Sequence, residues 1–326
     1  MLPGTSPSYP LTLEFVVEPY LSGVRIDSFL ARHLRNYTAW RLNRMVTAGL
    51  AKIDGLPADP VDRVFPRQRV SIRLVEPPDK LLLPEAGDIN IVYEDPWVIV
   101  IDKPAGLIAH PVGDFQDGTL SNVLQHYLDQ QTAVRGLLRP GVVHRLDRMT
   151  SGLIVTAKEH LSHRLLSIDF QQSKLSKSYV ALVEGCPDFE SRVIELPIGQ
   201  RPGGSILMSA RPDARNSRPA KTKVSVIERL GRWTLVECIL FSGRNHQIRV
   251  HLAHIGFPIV GDEYYGPFGT VRKLPSASFV AEEDETEEQR HALHATSLGF
   301  FHPILREWMQ FRTAPPADFW ALIGRN

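Results

Sequence analysis

Residues 141–155 read Gly-Val-Val-His-Arg-Leu-Asp-Arg-Met-Thr-Ser-Gly-Leu-Ile-Val, a charged patch held between two apolar, strand-like pieces. Short apolar runs bounded by Gly and Pro recur on both sides of it: NIVYEDPWVIVIDKP at 90–104, SGLIVTAK at 151–158, SYVALVEG at 178–185, KVSVIERL at 223–230 and WTLVECIL at 233–240. These are strand signals. Between them LSNVLQHYLDQQ (120–131) and EHLSHRLLSIDFQQ (159–172) carry the 3.6-residue spacing of helices. The larger part of the chain is therefore expected to be a mixed α+β sheet domain.

Towards the N-terminus the pattern changes. Residues 1–10 hold three prolines, a glycine and two serines, and read as a flexible lead-in. From Arg25 to Gly55 apolar residues recur at helical spacing twice, as Ile26, Phe29, Leu30 and Leu34 and again as Leu42, Met45 and Val46, which predicts two short helices. AKIDG (51–55) and VSIRL (70–74) read as small strands, and the proline-rich segment from Glu76 to Asp88 as a linker. The expected organisation is a small α/β domain over 11–78, a linker over 79–89 and the larger domain over 90–326. The run 281–290, with six carboxylates, reads as a solvated loop.

The whole chain is nearly neutral, with 37 Lys and Arg against 36 Asp and Glu, so global charge argues for no polyanionic partner. Locally the balance differs. Between Leu21 and Val75 stand ten basic residues (Arg25, Arg32, Arg35, Arg41, Arg44, Lys52, Arg63, Arg67, Arg69, Arg73) and four aspartates (Asp27, Asp54, Asp59, Asp62). Beside Tyr37 and Trp40, such a basic helical face suits phosphate contact, although a solvated arginine-rich surface has the same composition. Two cysteines, Cys186 and Cys238, cannot supply a disulfide framework or a four-cysteine zinc site. With no signal-like N-terminus and no apolar run near the ~18 residues of a span, the expectation is a soluble, cytoplasmic protein.

Asp147, flanked by Arg145 and Arg148, is placed to stay ionised. As a bare pattern it is weak, because turn aspartates that cap a loop are far commoner than catalytic ones. A second polar cluster, SGRNHQIRVHLAH at 242–254, holds His246, His251 and His254 but lacks a nearby acid and the two-histidine, one-glutamate zinc pattern, so no metal site is predicted. Tyr179 lies in a strand, where half-buried packing is its default.

Taken together, these segments resemble the RluA-type family of RNA pseudouridine synthases along nearly the whole chain. HRLDRMTSGLIVTAK is similar to its central motif, and EDPWVIVIDKPAGLIAHP, KSYVALVEG, SGRNHQIRVHLAHIGFPIVGDEYYG and LHATSLGFFHP follow in the family's order. RIDSFLARHL and NRMVTAGLAKIDG resemble the S4 RNA-binding domain often fused ahead of the catalytic domain. The resemblance implies the pseudouridine synthase fold, an α+β fold whose mixed sheet is largely antiparallel, preceded by a small S4-like α/β domain. It also implies catalytic Asp147, a base-stacking Tyr179 and Arg249 as basic partner of the aspartate. Substrate contacts are expected from His144, Arg145, Leu146, Thr150, Arg244, His246 and Gln247, from an apolar floor at Ile259 or Val260, and from Arg32, Arg35, Arg41 and Arg44. Met149 and Ser242 depart from the family pattern, which favours an acidic or polar residue and threonine there.

The implied reaction breaks the bond from ribose C1′ to uracil N1, turns the base and rejoins it through C5. Nothing is oxidised or reduced, so no cofactor is expected. A lone carboxylate can act on an oxocarbenium-like sugar, as in retaining glycosidases. The target must be flipped out at a cost of a few kcal/mol, which basic contacts offset, including those of the stretch from Arg201 to Lys223. The expected partner is structured ribosomal or transfer RNA, with no membrane and no obligatory protein partner. Two rivals are a catalytically inactive RNA-binding or ribosome-assembly protein of the same fold, against which the intact Asp147, Tyr179 and Arg249 argue, and a glycoside hydrolase, which would want a second carboxylate beside Asp147.

Overall fold

The computed structural model describes residues 10–324 other than 36, 38, 76–81, 113–115, 132–139, 159, 203–206 and 275–289. The flexible lead-in up to residue 9 and the acidic run up to residue 289 lie outside the described residues, as does part of the linker.

The first elements are β1 (Leu11–Val16), β2 (Val24–Arg25), α1 (Ile26–His33), α2 (Ala39–Thr47), β3 (Ala51–Ile53), β4 (Leu56–Pro57), β5 (Arg63–Val64) and β6 (Arg69–Leu74). They form an antiparallel sheet in the order β1-β6-β3-β4 and a short β2–β5 pair. The helices exist because each turns one apolar stripe inward: Ile26, Phe29, Leu30 and Leu34, with Leu42, Met45 and Val46, pack with Val70, Ile72 and Leu74 in one core.

The second group comprises β7 (Asn90–Glu94), β8 (Val98–Lys103), α3 (Leu120–Gln130), β9 (Gly141–Val142), β10 (Ser151–Ala157), α4 (His160–Gln171), β11 (Leu175–Glu184), β12 (Ser191–Glu195), β13 (Ile198–Gln200), β14 (Met208–Ser209), β15 (Arg215–Arg218), β16 (Lys221–Leu230), β17 (Trp233–Leu240), α5 (Gln247–His254), β18 (Leu293–Phe301), β19 (Trp308–Arg312) and α6 (Ala317–Gly324). A ten-stranded sheet runs β12-β16-β17-β11-β18-β10-β8-β7, with β19 beside β18 and β9 beside β10. Its pairs are antiparallel except β10 with β18, so the sheet is mixed and largely antiparallel, as expected. The stretch Arg201 to Lys223 contributes β14 and β15 to a small sheet with β13.

Strand β10 is buried along its whole length, which explains its unbroken apolar text. Leu153, Val155 and Ala157 face one core with Val98 and Leu166, while Ile154 faces another with Ile99, Leu120 and Leu124. A strand covered on both faces loses the alternation of a half-exposed one. The Asp147 turn therefore enters the middle of the sheet. Its exit is fixed by Gly152, at φ +113°, where an added Cβ would lie 2.4 Å from the Ala295 carbonyl oxygen and 2.6 Å from the Ala295 nitrogen. Only glycine accepts both that backbone and that approach.

Gly152→Ala is expected to cost at least about 1–3 kcal/mol of backbone strain, before any separation of β10 from β18. A thermal melt should show a loss of roughly 2–4 °C per kcal/mol. An unchanged melting temperature would show that the strands do not approach so closely.

Candidate active site

Five pieces of the sheet domain converge on one cleft of about 70 Å³: the turn before β10, the middle of β11, the end of β17, the start of α5 and the start of β18. Asp147, Tyr179, Arg145, Leu146, Thr150, Arg244, His246, Gln247 and Arg249 all line it. Asp147 and Arg249, 102 positions apart in sequence, thus become neighbours.

Arg249 is almost wholly buried on the first turns of α5. Its Nε and Nη2 donate to the two carboxylate oxygens of Asp262, at 2.8 and 2.9 Å, and Nη1 donates to Oδ2 of Asp147 at 3.2 Å. The expected partnership with Asp147 is present, but through one nitrogen only. The bidentate edge belongs to Asp262, a residue the sequence reading did not single out although VGDEYYG contains it. Asp262 is held in turn by the backbone N–H groups of Tyr264 and Tyr265, at 3.0 and 3.1 Å.

Burial raises the Asp147 pKa, but the positive charge facing it, from His246 when protonated and from Arg249 and His291, holds the carboxyl well below the usual range. Burial also pushes His246 below the ordinary imidazole value, against the pull of Asp147, and drives His291 down to about 3. Burial disfavours a charge on either ring, whereas Arg249, held by two carboxylates, is the permanent cation that faces Asp147.

His246 adopts a left-handed backbone (φ +54°) just ahead of α5, a conformation that costs a non-glycine residue about 1–3 kcal/mol and clusters at functional sites. Its Nδ1 is 2.7 Å from the Tyr265 hydroxyl, which also accepts the Met208 N–H at 3.0 Å. Burial raises the Tyr265 pKa, so the phenol keeps its proton, and the direction of its bond with Nδ1 follows the imidazole tautomer. His246 Nε2 lies 4.0 Å from Oδ2 of Asp147.

Tyr179 reaches the cleft because of an irregularity. The pairing of β11 with β18 shifts register between Ser178 and Val180, and such a bulge re-aims a side chain. Burial, then the Asp147 charge, raises its phenol pKa, so the hydroxyl stays protonated.

Several expected contacts are engaged elsewhere. Gln247 donates to the Lys221 carbonyl and Thr222 Oγ1 and accepts from Ser242 Oγ and the Arg244 N–H, which occupies its amide within the protein. Ser242 supplies there the hydroxyl that threonine would, so that departure from the family pattern is chemically small. Thr150 Oγ1 pairs with His291 Nε2 at 2.8 Å. His144 stacks on Phe170 and accepts the Val155 N–H, and it lines a larger cleft of about 540 Å³, separated from the first by Arg145.

Ile259 and Val260 lie in the same buried cluster as Leu146, Ile248 and Leu293, which with Leu240 form the apolar part of the cleft's lining. The turn that brings Asp262 to Arg249 draws the two preceding residues inward, where Ile259 bridges to Val183. Arg32, Arg35, Arg41 and Arg44 stand on or beside α1 and α2, in the first group of elements. His251 bonds Thr222 Oγ1 and the Leu196 carbonyl. Among the described residues no group of three or more potential metal ligands occurs.

Lys103 is a second residue that the motif reading passed over. It is fully buried, and Nζ donates to the carbonyls of Pro104, Leu107 and Arg148 at 2.7, 2.9 and 3.1 Å. Burial pulls its pKa down to about 7, while the charges of Asp147 and Asp102 oppose the fall. Three carbonyl acceptors require all three N–H donors of the ammonium, so Lys103 ties the turn after β8 to the turn that presents Asp147.

Asp147, bonded to the buried Arg249, stands in one small cleft with a protonated Tyr179, an arrangement that suits carboxylate-dependent chemistry. The sequence pattern of RNA pseudouridylate synthases matches residues 97–254. The chain is 34% identical to the uncharacterized RNA pseudouridine synthase YlyB of Bacillus subtilis, over 92% of this chain and 93% of the relative. It is 35% identical to ribosomal large subunit pseudouridine synthase D of Xanthomonas campestris, over 95% and 91%. Among solved structures, human RNA pseudouridylate synthase domain containing 4 superposes with a TM-score of 0.57 at 26% identity, covering 72% of this chain and 92% of that one. The chain belongs to the RluA-type family of RNA pseudouridine synthases.

Asp262→Asn is expected to cost about 3–5 kcal/mol of stability, because it leaves the buried guanidinium short of one carboxylate. Turnover should fall at least about tenfold, ~1.4 kcal/mol of barrier. Arg249→Lys should also lose turnover, since an ammonium cannot serve two carboxylates through a planar fork. In the unaltered protein the depressed Asp147 pKa means that this residue contributes no acid limb to kcat above about pH 4. Urea melts and a pH–rate profile check both statements.

Proposed function

We propose that the protein isomerises uridine to pseudouridine in RNA, with Asp147 acting on the ribose or base of a flipped nucleotide. The observation that carries this reading is the Asp147–Arg249–Asp262 cluster at the floor of the cleft. The reaction balances without an external reagent: the C1′–N1 bond breaks, C1′–C5 forms, C5 releases a proton and N1 acquires one. An ionised carboxylate in a largely dry site can stabilise or trap the electron-poor sugar.

Tyr179 offers a ring face for the turning base and a hydroxyl that can donate but not act as phenolate. Arg145 and Arg244 at the cleft suit the phosphates flanking the target, as do Arg215 and Arg218 on the exposed strand β15.

Residues 11–78 act in this reading as an S4-like RNA-binding domain, joined by 79–89 to a catalytic domain over 90–326. Arg32, Arg35, Arg41 and Arg44 meet phosphate there. Two relatives' names, ribosomal large subunit pseudouridine synthase D in Neisseria meningitidis and in Xanthomonas campestris, support large-subunit ribosomal RNA as the substrate and the cytoplasm as the place of action.

RNA tritiated at uracil C5 tests the activity. The protein should release tritium to water without free uracil, and Asp147→Asn should lower that release more than about a hundredfold, roughly 2.7 kcal/mol of barrier, while RNA binding persists. Binding without tritium release by the unaltered protein would identify a non-catalytic relative. Pseudouridine maps of large-subunit RNA from cells with and without the gene should differ at defined uridines.

A further inference from the structure

We infer that the outer face of α2 is a stacking platform for an unpaired RNA base, built from the Trp40 indole and the Arg44 guanidinium that covers it. The inference rests on RNA being the substrate, and it adds the kind of RNA that the N-terminal elements grip: a loop or single strand rather than a continuous duplex.

Helix α2 turns Leu42, Met45 and Val46 into the core, so Trp40 and Arg44, four residues apart, share the outward side. Trp40 is 67% exposed, against 46% for Trp308 and 40% for Trp320. An indole left this open forgoes the burial that ordinarily stabilises an aromatic side chain. Arg44 Cζ lies 4.9 Å from the Trp40 ring centroid, within cation–π range. The pair orders both side chains, and the exposure of the indole keeps ring surface open to a ligand.

Arg41, one residue before Leu42, has its Cζ 5.9 Å from the ring centroid of Tyr37, which is buried in the core, so Arg41 adds a cation to this helix and Trp40 alone supplies the open ring. No acidic residue occurs between Asp27 and Asp54, so α2 itself carries no carboxylate.

Together these features place an ordered aromatic face among cations. Base stacking on such a face is sequence-tolerant, with arginine adding its own π and charge contacts. In a duplex the base faces are already stacked on each other, which leaves unpaired nucleotides as the species that fits.

The test uses the full chain and two fluorescein-labelled probes of about 12 nucleotides, a length that one small module covers: a single-stranded RNA and the blunt duplex of the same sequence. Trp40→Ala should weaken single-strand binding about fivefold or more and leave duplex binding within twofold. Trp40→Phe should restore most of the loss, because a flat ring returns. The single strand should quench tryptophan emission more in the unaltered protein than in Trp40→Phe. Melting temperatures of the variants should match the parent, since the residue is exposed.

Arg32→Ala with Arg41→Ala serves as the control for charge and should weaken both probes with a shallower salt dependence. If this control weakens both probes while Trp40→Ala affects neither, or affects both equally, the platform is overturned and the RNA reading of the domain stands. If neither set of changes alters binding, this face does not meet RNA and both readings of it fall.

Discussion

A buried guanidinium shared between two carboxylates is the constraint on which the site depends. Arg249 has almost no access to water, so its charge is tolerable only where oxygen atoms replace the lost hydration. Asp262 supplies most of that replacement through two short, parallel hydrogen bonds. The remaining nitrogen is left for Asp147. Had Arg249 and Asp147 been alone, the pair would have been neutral and mutually satisfied; with Asp262 the trio carries one net negative charge. Asp147 is therefore oriented and ionised, yet retains oxygen lone pairs for chemistry.

The surrounding fold serves that arrangement by close backbone approaches. Gly152 lets β10 run against β18 directly after the Asp147 turn. Gly261, at φ +79°, has its Cα so near the Arg290 carbonyl that an added Cβ would lie 2.3 Å from that oxygen, and this turn delivers Asp262. Lys103 fastens the Asp147 turn from behind through three carbonyls. Each device lies beside the reacting region without belonging to it, which is how a catalytic geometry is supported on rigid strands. Polar side chains pack behind the turn as well: Ser151 meets His294 and Arg290, and Arg290 pairs with Asp318 of α6.

The cleft that holds Asp147 and the arginine-rich helices are built from different elements. The cleft is small and lined mainly by polar and charged side chains, with Leu146, Leu240, Ile248 and Leu293 as its apolar part. The basic residues that suit phosphate are spread over α1, α2 and β15, where charge is solvated and adjustable by salt. A protein whose net charge is nearly zero can thus bind a polyanion, because the balance of charge differs from one surface to another.

Much of this was legible in the chain text. The core positions of α1 and α2 follow from 3.6-residue spacing, and β10 from an apolar run too uniform for a half-exposed strand. Asp147, Tyr179 and Arg249 were recoverable from the order of several motifs, whose residues must meet in space whatever separates them in sequence. The rest depended on three-dimensional distance. Asp262 reads as one acid among several until α5 brings Arg249 to it, and Lys103 reads as the polar end of a strand until its ammonium is seen to close three carbonyls. Gln247 and Thr150 line the cleft and are also hydrogen-bonded within the protein, and Ile259 and Val260 share the core of its apolar liners, relations that motif membership does not show. Periodicity reports which way a residue faces along its own element; which partner it meets is decided by tertiary packing, because hydrogen bonds and ion pairs act over a few ångströms between segments far apart in the chain.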